Sequence, residues 1–107
     1  MRESDTDMEI LYGIRTDDPF PVAKALQSSL GRQFEGREST YKGDYWLSDE
    51  GGAKITVLEW MSPEGDVHEP DFPDYKVLIR VEGSTPVQGI AGLETPVGVI
   101  EQLRELR

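Results

Sequence analysis

Residues 75–83, YKVLIRVEG, place Tyr75, Val77, Ile79 and Val81 at every second position, with Lys76, Arg80 and Glu82 between them. Side chains of an extended chain alternate between two faces, so this spacing predicts a strand with one face buried. The same period runs through MEILYGI (8–14), where Met8, Ile10, Tyr12 and Ile14 fall in step. AKITVLEW (53–60) is rich in β-branched residues and follows a further short run, YWLS (45–48). The DEGG between those two runs (49–52) carries the glycines that a tight hairpin turn requires. Strands that follow one another through such turns pair antiparallel.

Two segments carry helical signals instead. In TDDPFPVAKALQSSLG (16–31), Asp18 can cap, Pro19 suits the first helical position, and Gly31 suits the left-handed residue that ends a helix. Val22, Leu26 and Leu30 recur at helical spacing beside Ala23 and Ser29. TPVGVIEQLRELR (95–107) predicts a second helix, capped by Thr95, with Val99, Ile100, Leu103 and Leu106 on its apolar stripe. Residues 37–41 read as a short edge strand, and 84–95 is punctuated by glycine and proline. The resulting order is β-α-β-β-β-β-α. It predicts an α+β fold: a mostly antiparallel sheet of four to five strands with two helices packed on one face. The 107 residues fit one domain, over 8–107, preceded by a polar, disordered tail at 1–7.

Charge narrows the functional classes. Asp and Glu number 21 against 11 Lys and Arg, a formal net charge of −10. Nucleic acids and anionic membranes are bound chiefly through lysine and arginine, so neither is an expected partner. A basic protein surface is. The absence of cysteine excludes disulfides, thiol nucleophiles and cysteine-bound zinc. With no basic-then-apolar leader and no apolar run near the roughly 20 residues of a membrane span, a soluble cytoplasmic protein is expected.

The candidate site is SPEGDVHEPDFPDY (62–75), which holds Glu64, Asp66, Glu69, Asp71, Asp74 and the lone histidine, His68, but no lysine or arginine. It lies in a 14-residue connection, 61–74, between two predicted strands, and loops of that length are usually functional or disordered. Pro63, Pro70 and Pro73 stiffen it. Five like charges repel one another, a cost that a basic partner would relieve. EF-hand spacing is absent, and zinc would have to rely on His68 with carboxylates alone, so no metal and no cofactor is expected. No G-x-S-x-G elbow or phosphate-loop glycine pattern occurs, and the expectation is a protein that is not an enzyme. The alternative is a small homodimeric metal-dependent hydrolase using His68 and nearby carboxylates at a shared cleft.

With Met8, Ile10, Tyr12, Ile55, Val57, Val77, Ile79 and Val81 beneath the helices, the opposite face carries Leu11, Leu58, Trp60 and Leu78. Either 84–95 folds over those four, or they form an apolar patch for a partner or a second copy of the chain. Large aromatics anchor interfaces, which adds Trp60 and an accessible Phe72 to the partner-binding set, while Trp46 reads as core. In size, acidity, lack of cysteine and lack of catalytic motifs, the chain resembles bacterial immunity proteins, which neutralise secreted toxin domains, many of them basic nucleases. That resemblance implies that Glu64, Asp66, Glu69, Asp71 and Asp74 stand in for the phosphates a nuclease cleft receives.

Overall fold

In a computed structural model that describes residues 8–39, 43–85 and 87–106, the alternating runs pair into one antiparallel sheet. The tail expected at 1–7 lies outside the described residues. The elements are β1 (Met8–Ile14), α1 (Pro19–Leu30), β2 (Glu35–Ser39), β3 (Gly43–Glu50), β4 (Ala53–Glu59), β5 (Val77–Gly83), β6 (Glu94–Thr95), β7 (Gly98–Val99) and β8 (Glu101–Leu106). Six strands form the sheet in the order β2-β3-β4-β5-β1-β8, and β6-β7 is a separate two-stranded hairpin.

Local chemistry explains most of this. Gly51 and Gly52 take φ of 64° and 81°, the pair of positive values that lets a two-residue turn follow the twist of β3 and β4. Asp18 accepts the Phe20 N–H at the start of α1, and the Gly31 N–H closes the helix onto Gln27 O at 3.0 Å. Arg32 then ties the helix end to that hairpin, donating to Ser48 Oγ (3.0 Å) and to the carbonyls of Ala53 (2.8 Å) and Glu50 (3.2 Å).

One face of the sheet buries Ile10, Tyr12, Ile14, Ile55, Val57, Val77, Ile79 and Val81 against Val22, Ala23 and Leu26 of α1. Ile90 and Ile100 complete that core, with Val87, Leu93 and Val97 packed beside them. The described residues of the 84–95 segment that pack on a core, Val87, Ile90 and Leu93, therefore join the helix side and do not cover the second face. Fully burying each such side chain contributes about 1.5–3 kcal/mol.

The second helix expected at 95–107 does not form, so the architecture has one helix and six strands in its main sheet. Thr95, Pro96, Val97 and Gly98 make a turn instead: Thr95 Oγ1 accepts the Val97 N–H (3.1 Å) and donates to Gly98 O (2.9 Å). Beyond it, β8 pairs antiparallel with β1, with an irregularity between Leu11 and Tyr12. The supposed stripe is divided: Ile100 is buried with the helix-side core, Leu103 packs on the other face, and Val99 is exposed. A helix would have left the outer edge of β1 unpaired, and ladder hydrogen bonds to that edge outweigh the local helical spacing.

Candidate functional site

The acidic connection is an ordered cover that lies over the second face of the sheet. It first extends β4 as a small hairpin: Met61 bridges Val67, the His68 N–H donates to Trp60 O (2.8 Å), and the Ser62 N–H donates to Asp66 O (2.8 Å). Ser62 Oγ accepts the Asp66 N–H at 3.0 Å, so SPEGD is the hairpin tip. Two further turns follow, from the Phe72 N–H to Glu69 O (3.0 Å) and from the Tyr75 N–H to Phe72 O (3.2 Å). This path brings Trp60, Phe72 and Tyr75, with Tyr45 and Leu103, onto Leu11, Leu58 and Leu78. Gly13 makes the approach possible, because a Cβ there would stand 2.7 Å from Leu103 Cδ1 and 2.9 Å from Tyr75 Cβ. The apolar residues of the second face are covered by the loop itself.

The loop is anchored by charge from within the molecule. Arg80 and Arg104 are the register partners of Leu11 on either side of it, so both guanidinium groups rise from one row of the sheet. Glu69 sits between them with its side chain 10% exposed; Arg104 Nη2 lies 3.0 Å from its carboxylate and Arg80 Nη2 lies 3.4 Å from it. Glu9 supports Arg80 at 3.5 Å. A carboxylate taken out of water needs such partners, and Glu69 has them. The expected unmet demand of five carboxylates is therefore reduced by one.

The remaining residues of the loop separate by exposure. Glu64, Asp66, Asp71 and Asp74 face solvent. Trp60 is half-buried, with the Lys76 ammonium 3.7 Å from the centre of its ring, a cation–π contact. Phe72 is half-buried against the leucines, with the Arg104 guanidinium 6.0 Å from its ring, so it is less accessible than its place among charges implied. His68 is half-buried. At the far end of the loop, Tyr75 donates to Glu101 (2.9 Å) and accepts from Arg15 (3.3 Å). That hydrogen bond, together with the charge of Glu101, holds the Arg15 guanidinium above its already high ordinary value. Among the described residues, no three His, Cys, Asp or Glu side chains converge as a bound metal ion requires.

The structure also brings together three carboxylates that lie far apart in the chain. Glu38 of β2 is the register partner of Asp44 of β3, and Asp44 stands one step beyond the Tyr45–Leu58 pair, beside Glu59 of β4. All three line an open groove of about 630 Å³, closed on its other side by Met61, Ser62 and Pro63 of the hairpin tip. Among the described residues, no lysine or arginine forms an ion pair with any of them. Like charges placed opposite one another across strands destabilise a sheet. Glu64 and Asp66 follow the lining residue Pro63 closely in sequence, and both are exposed.

Sequence reasoning misses this groove. Its only signals are Glu38 in EGRES, Asp44 in KGD and Glu59 in LEW, and nothing local says that those three carboxylates share a row. The fold and the groove together define an α+β antiparallel-sheet domain with a carboxylate-lined mouth at one end of the sheet. No family model, curated protein or solved structure matches the chain. No helix among the described residues is long and apolar enough to cross a membrane.

Proposed function

We propose that the chain is a non-enzymatic protein-binding domain whose partner presents a basic surface, in the manner of an immunity protein inhibiting a basic toxin domain such as a nuclease. The observation that carries this reading is the groove in which Glu38, Asp44 and Glu59 stand together without an ion-pair partner among the described residues. Three carboxylates in a concave site attract a cluster of lysines or arginines, and the −10 net charge of the whole chain steers that encounter from a distance. Glu64 and Asp66 at the tip enlarge the same surface, while Asp71 and Asp74 add exposed charge farther along the loop. Glu69 is excluded from the contact set, since its carboxylate is committed to Arg80 and Arg104. For a nuclease partner, the groove carboxylates take the places of substrate phosphates.

The test is affinity capture from the source cell at about 50 mM and about 500 mM salt, with the native chain and with an E38Q/D44N/E59Q variant. The expected result is a basic protein retained only by the native chain and released at high salt, with its own activity suppressed in the complex. Equal retention by the amide variant, or retention indifferent to salt, would refute the proposal. Glu94→Gln, at an exposed position of β6 outside the groove lining, serves as the control that changes charge without touching the groove.

A further inference from the structure

We infer that the partner engages this domain by adding an extended strand to the outer edge of β2, an inference that rests on the acidic-groove reading and specifies its geometry. β2 is the first strand of the sheet, and among the described residues nothing pairs with its outer side. The residues on its helix-facing side are Gly36 and Glu38, two positions apart, and each opens a different site. Gly36 is the register partner of Trp46 and leaves the indole uncovered. A pocket of about 200 Å³ lies there, lined by Phe20, Ala23, Phe34, Gly36 and Trp46, with Lys24 and Gln27 at its polar side. Phe20 is 52% exposed, with its ring 6.1 Å from that of Trp46. Glu38 begins the carboxylate row that runs on through Asp44 to Glu59.

A strand laid against β2 sends alternate side chains to the same face. The one opposite Gly36 passes over the missing side chain onto Trp46, between Phe20 and Phe34. The one two positions away arrives beside Glu38 and Asp44. The edge therefore reads an extended segment with an apolar residue followed or preceded, two positions away, by lysine or arginine. Backbone hydrogen bonds supply affinity, and the two side-chain sites supply selectivity. A second copy of this chain is a poor occupant, because it brings a further −10 charge to an acidic edge.

The experiment is a titration of the ¹⁵N-labelled full chain with a synthetic nine-residue peptide of alternating threonines that carries one phenylalanine and, two positions on, one lysine. The expected result is amide shifts at 35–38 together with a shift of the Trp46 indole N–H. N-methylation of a peptide amide facing β2 weakens binding about tenfold or more, the worth of one lost hydrogen bond. Gly36→Thr should abolish the preference for phenylalanine while the fold survives, since a Cβ at 36 meets Trp46 Nε1 at an ordinary 3.5 Å. Absence of binding, or binding indifferent to N-methylation, overturns strand addition. Shifts confined to Glu59 and 61–66 overturn it too, and leave the groove reading standing. Shifts along β2 that persist unchanged when the peptide lysine becomes glutamine overturn the basic half of the inference and the groove reading together.

Discussion

Replacing Glu69 by glutamine separates the two roles open to a carboxylate of the acidic loop. Glutamine keeps the volume of glutamate and one carbonyl acceptor but removes the negative charge between Arg104 (3.0 Å) and Arg80 (3.4 Å). A hydrogen bond to a charged group contributes about 1.5–3 kcal/mol, against roughly 1 kcal/mol for a neutral one. The pair at Arg104 is the shorter, and both arginines remain partly exposed, with side chains 31% and 23% accessible, so water softens the loss. Removing one member of a fully buried pair costs about 3–5 kcal/mol, and Glu9 still faces Arg80, so a loss of about 2 kcal/mol is expected. For a domain of this size that corresponds to roughly 8–15 °C in Tm. In urea it moves the midpoint by about 1–2 M. Asp71→Asn, which changes the same charge at an exposed position, should change stability by no more than about 0.5 kcal/mol. A double-mutant cycle with Arg104→Met should return a coupling of at least about 1 kcal/mol. Equal stability of E69Q and the native chain would refute the internal pairing and return Glu69 to the pool of outward charge.

Other consequences follow from neighbouring contacts. Gly13→Ala drives a methyl group into Leu103 and Tyr75. It should destabilise by about 1–3 kcal/mol in urea unfolding, and a neutral result would mean that Tyr75 does not lie over the strand. Arg32→Met retains the aliphatic stem and loses the bonds to Ser48, Glu50 and Ala53. A loss of about 2 kcal/mol, with hydrogen exchange rising first in the 49–53 hairpin, is expected. Burial, and secondarily the charge of Glu105, raises the Tyr12 phenol above its ordinary 10.0. The folded state holds that proton longer than the unfolded chain, so the contribution is whole below the ordinary value and is lost as pH rises through the folded one. Phenolate absorbance should therefore show one of the four tyrosines titrating late. Tyr12→Phe should flatten the fall in stability at alkaline pH, and unchanged pH dependence in that variant would refute the assignment.

Part of the candidate site is legible in the residue order, but its arrangement is not. The length, prolines and charge of 61–74 mark a segment built for more than connection, and Glu64, Asp66, Asp71 and Asp74 do face solvent. The loop's carboxylates nevertheless have different environments, because Arg80 and Arg104 reach it from two strands on either side of β1. Phe72 departs from its local setting in a similar way. It stands among charges in the chain, yet it turns inward because Leu11, Leu58 and Leu78 leave an apolar face that water would otherwise meet.

The amino-acid order alone determined the elements whose signals are local: period-2 strands at 8–14, 53–59 and 77–83, the glycine turn at 51–52, and a helix bounded by Asp18 and Gly31. Each depends on dihedral preferences, capping or alternation within a few residues, and those act wherever the segment lies. Tertiary structure decided three other matters: that 101–106 is a strand, that Glu69 pairs with Arg80 and Arg104, and that Glu38, Asp44 and Glu59 share a groove. For 101–106, apolar residues at 103 and 106 suit a helix, and only the open edge of β1 tips the choice. For the carboxylates, the partner or neighbour that matters is brought by sheet register, and Coulomb energy depends on distance in space, with no imprint on the spacing along the chain.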